Sequence, residues 1–184
     1  YNEGYELTNE KKRKKHDLPE KQLIASIHDT LALQNTYISN DGDWIRFETI
    51  VSTVPEQTAI APGYLEKEWE ENGRKYFHYK MDSKILNFVA WLSADYEKIE
   101  DEWNGIELAV YYHKGHEYNI DDMMNAMKKS LEYYSENFSP FQYRQLRVFE
   151  FPRFSSFAQS FPNMIPFSES IGFIANAEDE DINY

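Results

Sequence analysis

Two Asn-Gly dipeptides constrain this chain most: "ENG" at Glu71–Gly73 and "WNG" at Trp103–Gly105, each set between runs rich in β-formers. Asn-Gly supplies the positive φ angles that two-residue hairpin turns require, since glycine has no Cβ to clash and asparagine tolerates the left-handed region. "YLEKEWE" and "RKYFHYKM" flank the first and predict a hairpin over residues 64–81. "NFVAWLSADYEKI" and "IELAVYYH" flank the second, with Ile106, Leu108, Val110 and Tyr112 alternating. Upstream, "WIRFETIVSTV" points Ile45, Phe47, Thr49 and Val51 one way and Arg46 and Glu48 the other, as a half-buried strand does. Residues 44–118 therefore read as an antiparallel, β-sandwich-like lobe.

The period then changes. Ile120, Met124, Met127, Leu131, Tyr134 and Phe138 step by four and three, which predicts an amphipathic helix over 119–138. Asn119 is placed to cap it, Asp121 and Asp122 suit its positive N-terminus, and Ser139-Pro140 ends it. "RQLRVFEF" predicts a strand near 144–151, a proline- and aromatic-rich loop follows, and "SIGFIA" predicts a strand near 170–175. The fold class is α+β, with a boundary between lobes near His113 to Asn119. Residues 1–43 read as a polar arm, with a short helix near 20–33 expected from Leu23, Ile27 and Leu31.

A formal charge of -13 gives a field that repels phosphate backbones and anionic headgroups, which argues against nucleic acid or a membrane surface as partner. "KKRKK", Lys11 to Lys15, is a local exception that reads as a solvated charged segment between acidic neighbours. Without cysteine there is no thiolate nucleophile and no cysteine-zinc site. No apolar run approaches the roughly 20 residues of a membrane helix. The chain opens at Tyr1 without an initiator methionine and is expected to be a soluble piece of something longer; its compartment stays open.

Few residues suggest chemistry on their own. "HKGHE" holds His113, His116 and Glu117, but in a turn this spacing does not oblige the rings to converge, so no metal site is assigned there. His16, His28 and His78 are isolated in sequence, no G-x-S-x-G elbow occurs, and the seven glycines form no phosphate loop. "PFSESIGFIA" places Glu169 between Ser168 and Ser170, after an aromatic loop and before an apolar run. Packing on both sides would position this carboxylate; the same residues also fit a plain surface glutamate at the start of a strand.

Several segments together resemble the aminopeptidase N family of zinc metallopeptidases, the gluzincins related to leukotriene hydrolase. "TAIAPGYLEKEW" and "NGRKYFHYKMDSKILNFVAWLSADY" are similar to the end of that family's N-terminal β-saddle domain. "YYSENFSPFQYRQLRVFEFP" is similar to the first helix and strand of its catalytic, thermolysin-like domain, which would begin at 119 and be truncated here. "PFSESIGFI" stands where the family carries G-x-M-E-N, so Glu169 falls on the motif's glutamate, Phe167 on its variable position and Gly172 on a later glycine. Pro166, Ser168 and Ser170 replace its glycine, methionine and asparagine.

The resemblance implies that Glu169, with Pro166, Phe167, Ser168 and Ser170 around it, binds the free α-amine of a peptide substrate. It also implies a catalytic zinc in the parent protein, held by an H-E-x-x-H motif that this sequence does not contain. The chain alone would then hold no catalytic residue and no metal, would need the remainder of the peptidase domain as partner, and would be inactive. Bacterial relatives fused to membrane permease segments are compatible with the resemblance. The competing expectation is a non-enzymatic module of a zinc-less relative, whose loop 151–167 binds a peptide or protein.

Overall fold

The structure, a computed structural model, describes residues 10–19, 26, 28–31 and 43–175. It divides into two compact units, Tyr1–Gly42 and Asp43–Tyr184. In the first, helix α1 (Glu10–Lys15) carries the basic run; Arg13 is buried, and its Nε donates to the Pro19 carbonyl at 2.8 Å. Most of the helix expected near 20–33, including Leu23 and Ile27, lies outside the described residues, and Leu31 is exposed.

The second unit begins with small antiparallel pieces. Strands β1 (Trp44–Ile45) and β6 (Ile85–Leu86) pair, as do β3 (Thr58–Ile60) and β7 (Leu92–Ala94). Strands β2 (Glu48–Thr53), β4 (Tyr64–Glu71) and β5 (Arg74–Lys80) form a sheet in the order β2-β5-β4. The β4–β5 hairpin turns at Asn72 and Gly73, with φ of 51° and 72°, as the Asn-Gly signal requires. Phe47, Phe77, Tyr79 and Ile85 build the core beneath this sheet.

Strands β8 (Glu97–Trp103) and β9 (Ile106–Tyr112) form the second hairpin, with positive φ at Asn104 and Gly105. Helix α2 (Ile120–Asn137) follows, and then β10 (Gln145–Phe151), which lies parallel to β9. Strand β11 (Met164–Ser168) lies parallel to β10, giving a mixed sheet in the order β11-β10-β9-β8. This sheet runs straight through the boundary expected near 113–119. On one face Leu108, Val110 and Tyr112 pack under the α2 stripe of Ile120, Met124, Met127 and Leu131. On the other, Phe149 and Met164 pack against Ile60.

Two local expectations are corrected. The strand expected near 170–175 is instead β11 followed by a single helical turn, α3 (Glu169–Gly172). The β10–β11 ladder ends at Phe151 opposite Ser168, and the next residue of the β10 side is Pro152, which has no N–H to extend it. Phe173 is fully buried while Ile171 is 45% exposed, the opposite of a shared strand face. Asn119 does not cap α2 through its side chain; its Nδ2 donates to the carbonyls of Gly172 and Ala175, at 2.6 and 2.5 Å, and so ties the end of α3 to the start of α2.

Candidate functional site

The site forms at the end of the mixed sheet where β10, β11 and the turn after β9 meet. Parallel register sets Phe151 beside Ser168, which brings Glu150 and Glu169 to the same edge of the sheet. The loop between these strands folds back on β11: Gln159 N–H donates to the Pro166 carbonyl at 3.1 Å and Ser168 N–H to that of Phe157 at 3.0 Å. The backbone leading into Glu169 is thereby fixed, and beyond it Phe173 N–H donates to the Glu169 carbonyl at 3.1 Å.

Among the residues expected to bind substrate, only Glu169 and Ser170 present themselves to solvent in a polar setting. Ser168 is fully buried, and its hydroxyl donates to the Ser155 carbonyl at 2.6 Å. Ser170 is exposed and its Oγ lies 2.9 Å from that of Ser168. Pro166 is buried, and Phe167 is half-buried against Phe173, ring edge to face at 6.0 Å. Glu169 itself keeps 16% of its side chain exposed. Its Oε1 accepts the backbone N–H of Arg153 at 3.0 Å, and the Arg153 guanidinium stands 3.7 Å from the same oxygen. The other oxygen has no hydrogen-bond partner among the described residues.

The histidines behave differently from the pair considered in the sequence. His113 and His116 do not converge: the His113 ring stacks on Tyr96 with centroids 5.3 Å apart and meets His116 edge-on at 6.4 Å. Glu117 folds back within the turn, accepting the N–H of Gly115 at 3.1 Å, and this hydrogen bond, ahead of smaller contributions, holds its carboxyl below the ordinary value. His116 instead turns toward the sheet, where its Nδ1 meets Oε1 of Glu150 in a short hydrogen bond.

Glu150 is the residue sequence reasoning missed. It is fully buried, its Oε2 accepts the His113 N–H at 2.6 Å, and its carbonyl accepts the Tyr96 hydroxyl at 2.9 Å. Burial first, and the Glu150 charge second, push the Tyr96 phenol above its ordinary value, so that it remains a neutral donor. One donor atom from each of His116, Glu150 and Glu169 lies within 4.8 Å of the other two. A groove of about 520 Å³ beside the C-terminal half of α2, lined by Leu131, Tyr134, Phe138 and Phe141, includes none of these residues.

No family profile matches the sequence, and no curated protein matches it. Two solved structures are similar in fold: an M1 zinc metallopeptidase from Deinococcus radiodurans, and a point mutant of a two-domain M1 zinc metallopeptidase bound to L-arginine. Each aligns with a TM-score of 0.61 at 14% identity, over 70% of this chain and 31% of the other. The chain thus spans about a third of the length of these neighbours and shares the fold of that part of them.

Proposed function

We propose that this chain is the substrate-binding portion of a zinc-metallopeptidase-type protein, in which Glu169 receives the free α-ammonium of a peptide. One observation carries this reading: a carboxylate held by a backbone N–H through one oxygen, largely shielded from water, with its second oxygen unpaired among the described residues. Charge-assisted hydrogen bonds from an ammonium to such an oxygen are the strong kind. A peptide with a blocked N-terminus leaves the carboxylate desolvated and unpaired, which is how a polar site discriminates strongly. The fold shared with metallopeptidases supports the assignment, as does the neighbour that holds L-arginine, a molecule with a free α-amine. The sequence has no H-E-x-x-H, so the zinc implied by the resemblance is not held by this motif here, and the chain binds without cleaving.

The test uses the chain itself. A dipeptide with a free N-terminus should perturb the backbone amide resonances of Arg153 and of residues 168–170, and its N-acetyl counterpart should not. Glu169→Gln keeps the shape and should abolish that contrast. Equal shifts from both peptides, or shifts that persist in the variant, would overturn the reading. Phe154, 82% exposed, favours a second reading in which the aromatic loop is a docking surface of a binding module. In that case Phe154→Ala, rather than Glu169→Gln, removes binding, and N-acetylation does not matter.

A further inference from the structure

Glu150 poses an electrostatic problem that the amine-binding reading leaves open. A fully buried carboxylate costs several kcal/mol unless it is compensated, and Glu169 places a second carboxylate oxygen within 4.8 Å of the donor atom of Glu150. Like charges at that separation disfavour each other, so something positive belongs between them. His116 reaches only one of the two, through its Nδ1 contact with Glu150 Oε1. The guanidinium of Arg153 does little more: it is 70% exposed and stands on the Glu169 oxygen already held by its own backbone N–H. Both carboxylates are anchored alike. Glu150 Oε2 takes the His113 N–H and Glu169 Oε1 takes the Arg153 N–H, while Glu150 Oε1 meets His116 and one donor atom from each of the three side chains lies in the same cluster.

We propose that His116, Glu150 and Glu169 form a binding site for one divalent transition-metal ion. One imidazole nitrogen and two carboxylate oxygens are a donor set suited to zinc, which takes three protein ligands and a water in open sites. Three ligand atoms at about 2.1 Å around one tetrahedral ion stand about 3.4 Å apart, so a cluster within 4.8 Å needs to close by about 1.4 Å at most, within the reach of side-chain rotation. The contact between His116 and Glu150 must open by a similar amount as the metal takes the place of the proton they share. The two backbone N–H groups behind the carboxylates provide the outer hydrogen bonds that orient metal ligands. The three ligands come from three elements, the turn after β9, β10 and α3, so the ion would also pin the end of the sheet.

Zinc titrated into the metal-free chain at neutral pH, followed by calorimetry and elemental analysis, tests the site. One ion per chain is expected. Glu169→Gln, a near-isosteric change at a partly exposed position, should weaken binding by about 10-fold or more, and so should His116→Asn, which can still hydrogen-bond Glu150. His78→Ala, on the sheet β2-β5-β4 and paired with Glu48, should leave binding unchanged. No saturable binding in the millimolar range, or equal weakening by His78→Ala, would overturn the proposal. A further consequence rests on the amine-binding reading: a free-amine dipeptide should compete with zinc for Glu169, and its N-acetyl form should not. Zinc binding without such competition strikes at the amine reading and leaves the metal site standing, whereas amine binding without zinc does the reverse.

Discussion

Arg147 and Gly63 show how single residues lock the four-stranded sheet to the connection between β3 and β4. Arg147 is buried on β10, and its Nη2 donates to the carbonyls of Ala61 and Gly63 and to Oδ1 of Asn163, at 3.0, 2.9 and 2.8 Å. The same Asn163 oxygen accepts the Gly63 N–H at 3.2 Å. Gly63 has φ of +103°, and a Cβ there would lie 2.9 Å from the backbone carbon of Lys80, which cannot move aside as a flexible side chain can. Gly63→Ala should therefore cost about 2 kcal/mol or more, read as a shift in the urea midpoint. A loss under about 0.5 kcal/mol would mean that the β3–β4 connection relaxes freely. The serines around Glu169 show a similar local economy of polar groups. Ser168 spends its hydroxyl on the Ser155 carbonyl, so it serves the loop that frames the carboxylate and offers no surface to a ligand.

At the scale of elements, the two periodicities did most of what the sequence could do. Asn72-Gly73 and Asn104-Gly105 turn as expected, and the four-three spacing places Ile120, Met124, Met127 and Leu131 in one core with β9 and β10, whereas Tyr134 and Phe138 of the same stripe are exposed because the helix runs past the core there. Leu131, 5% exposed, should lose about 2–5 kcal/mol of stability as alanine in chemical denaturation. A change below about 0.5 kcal/mol would show that this turn of α2 is not packed. What was illegible is non-local. Strand β11 is hidden in the sequence by Pro166 at its middle, yet β11 is an edge strand of its sheet, where a proline is tolerated. Glu150 in "RVFEF" looks like an outward charge, because nothing near it in sequence reveals that both faces of β10 are covered. Its partners, Tyr96, His113 and His116, lie 34 to 54 residues earlier, beyond the reach of any spacing rule.

For the molecule as a whole, the parallel pairing of β9 with β10 decides how the second unit holds together. Had the β lobe ended near residue 118 as a body of its own, residues 43–118 would fold alone. The contacts argue otherwise. Removing everything after 118 strips α2 from Leu108 and Val110, and removes Phe149 and Met164 from Ile60. Re-exposing three buried aliphatic side chains costs about 1.5–3 kcal/mol each, a large share of the roughly 5–15 kcal/mol that stabilises a typical domain. The cut also turns β9 into an open edge and deprives Tyr96 and His113 of Glu150. Residues 43–175 should therefore melt in one cooperative transition, with hydrogen exchange in β4–β5 and in β9–β10 reporting the same global opening. Residues 43–118 should show no cooperative transition and should bind dyes that report exposed apolar surface. A sharp, reversible melt of 43–118 would show that the sheet β2-β5-β4 carries its own stability, and that β10 and β11 are laid against a lobe already formed.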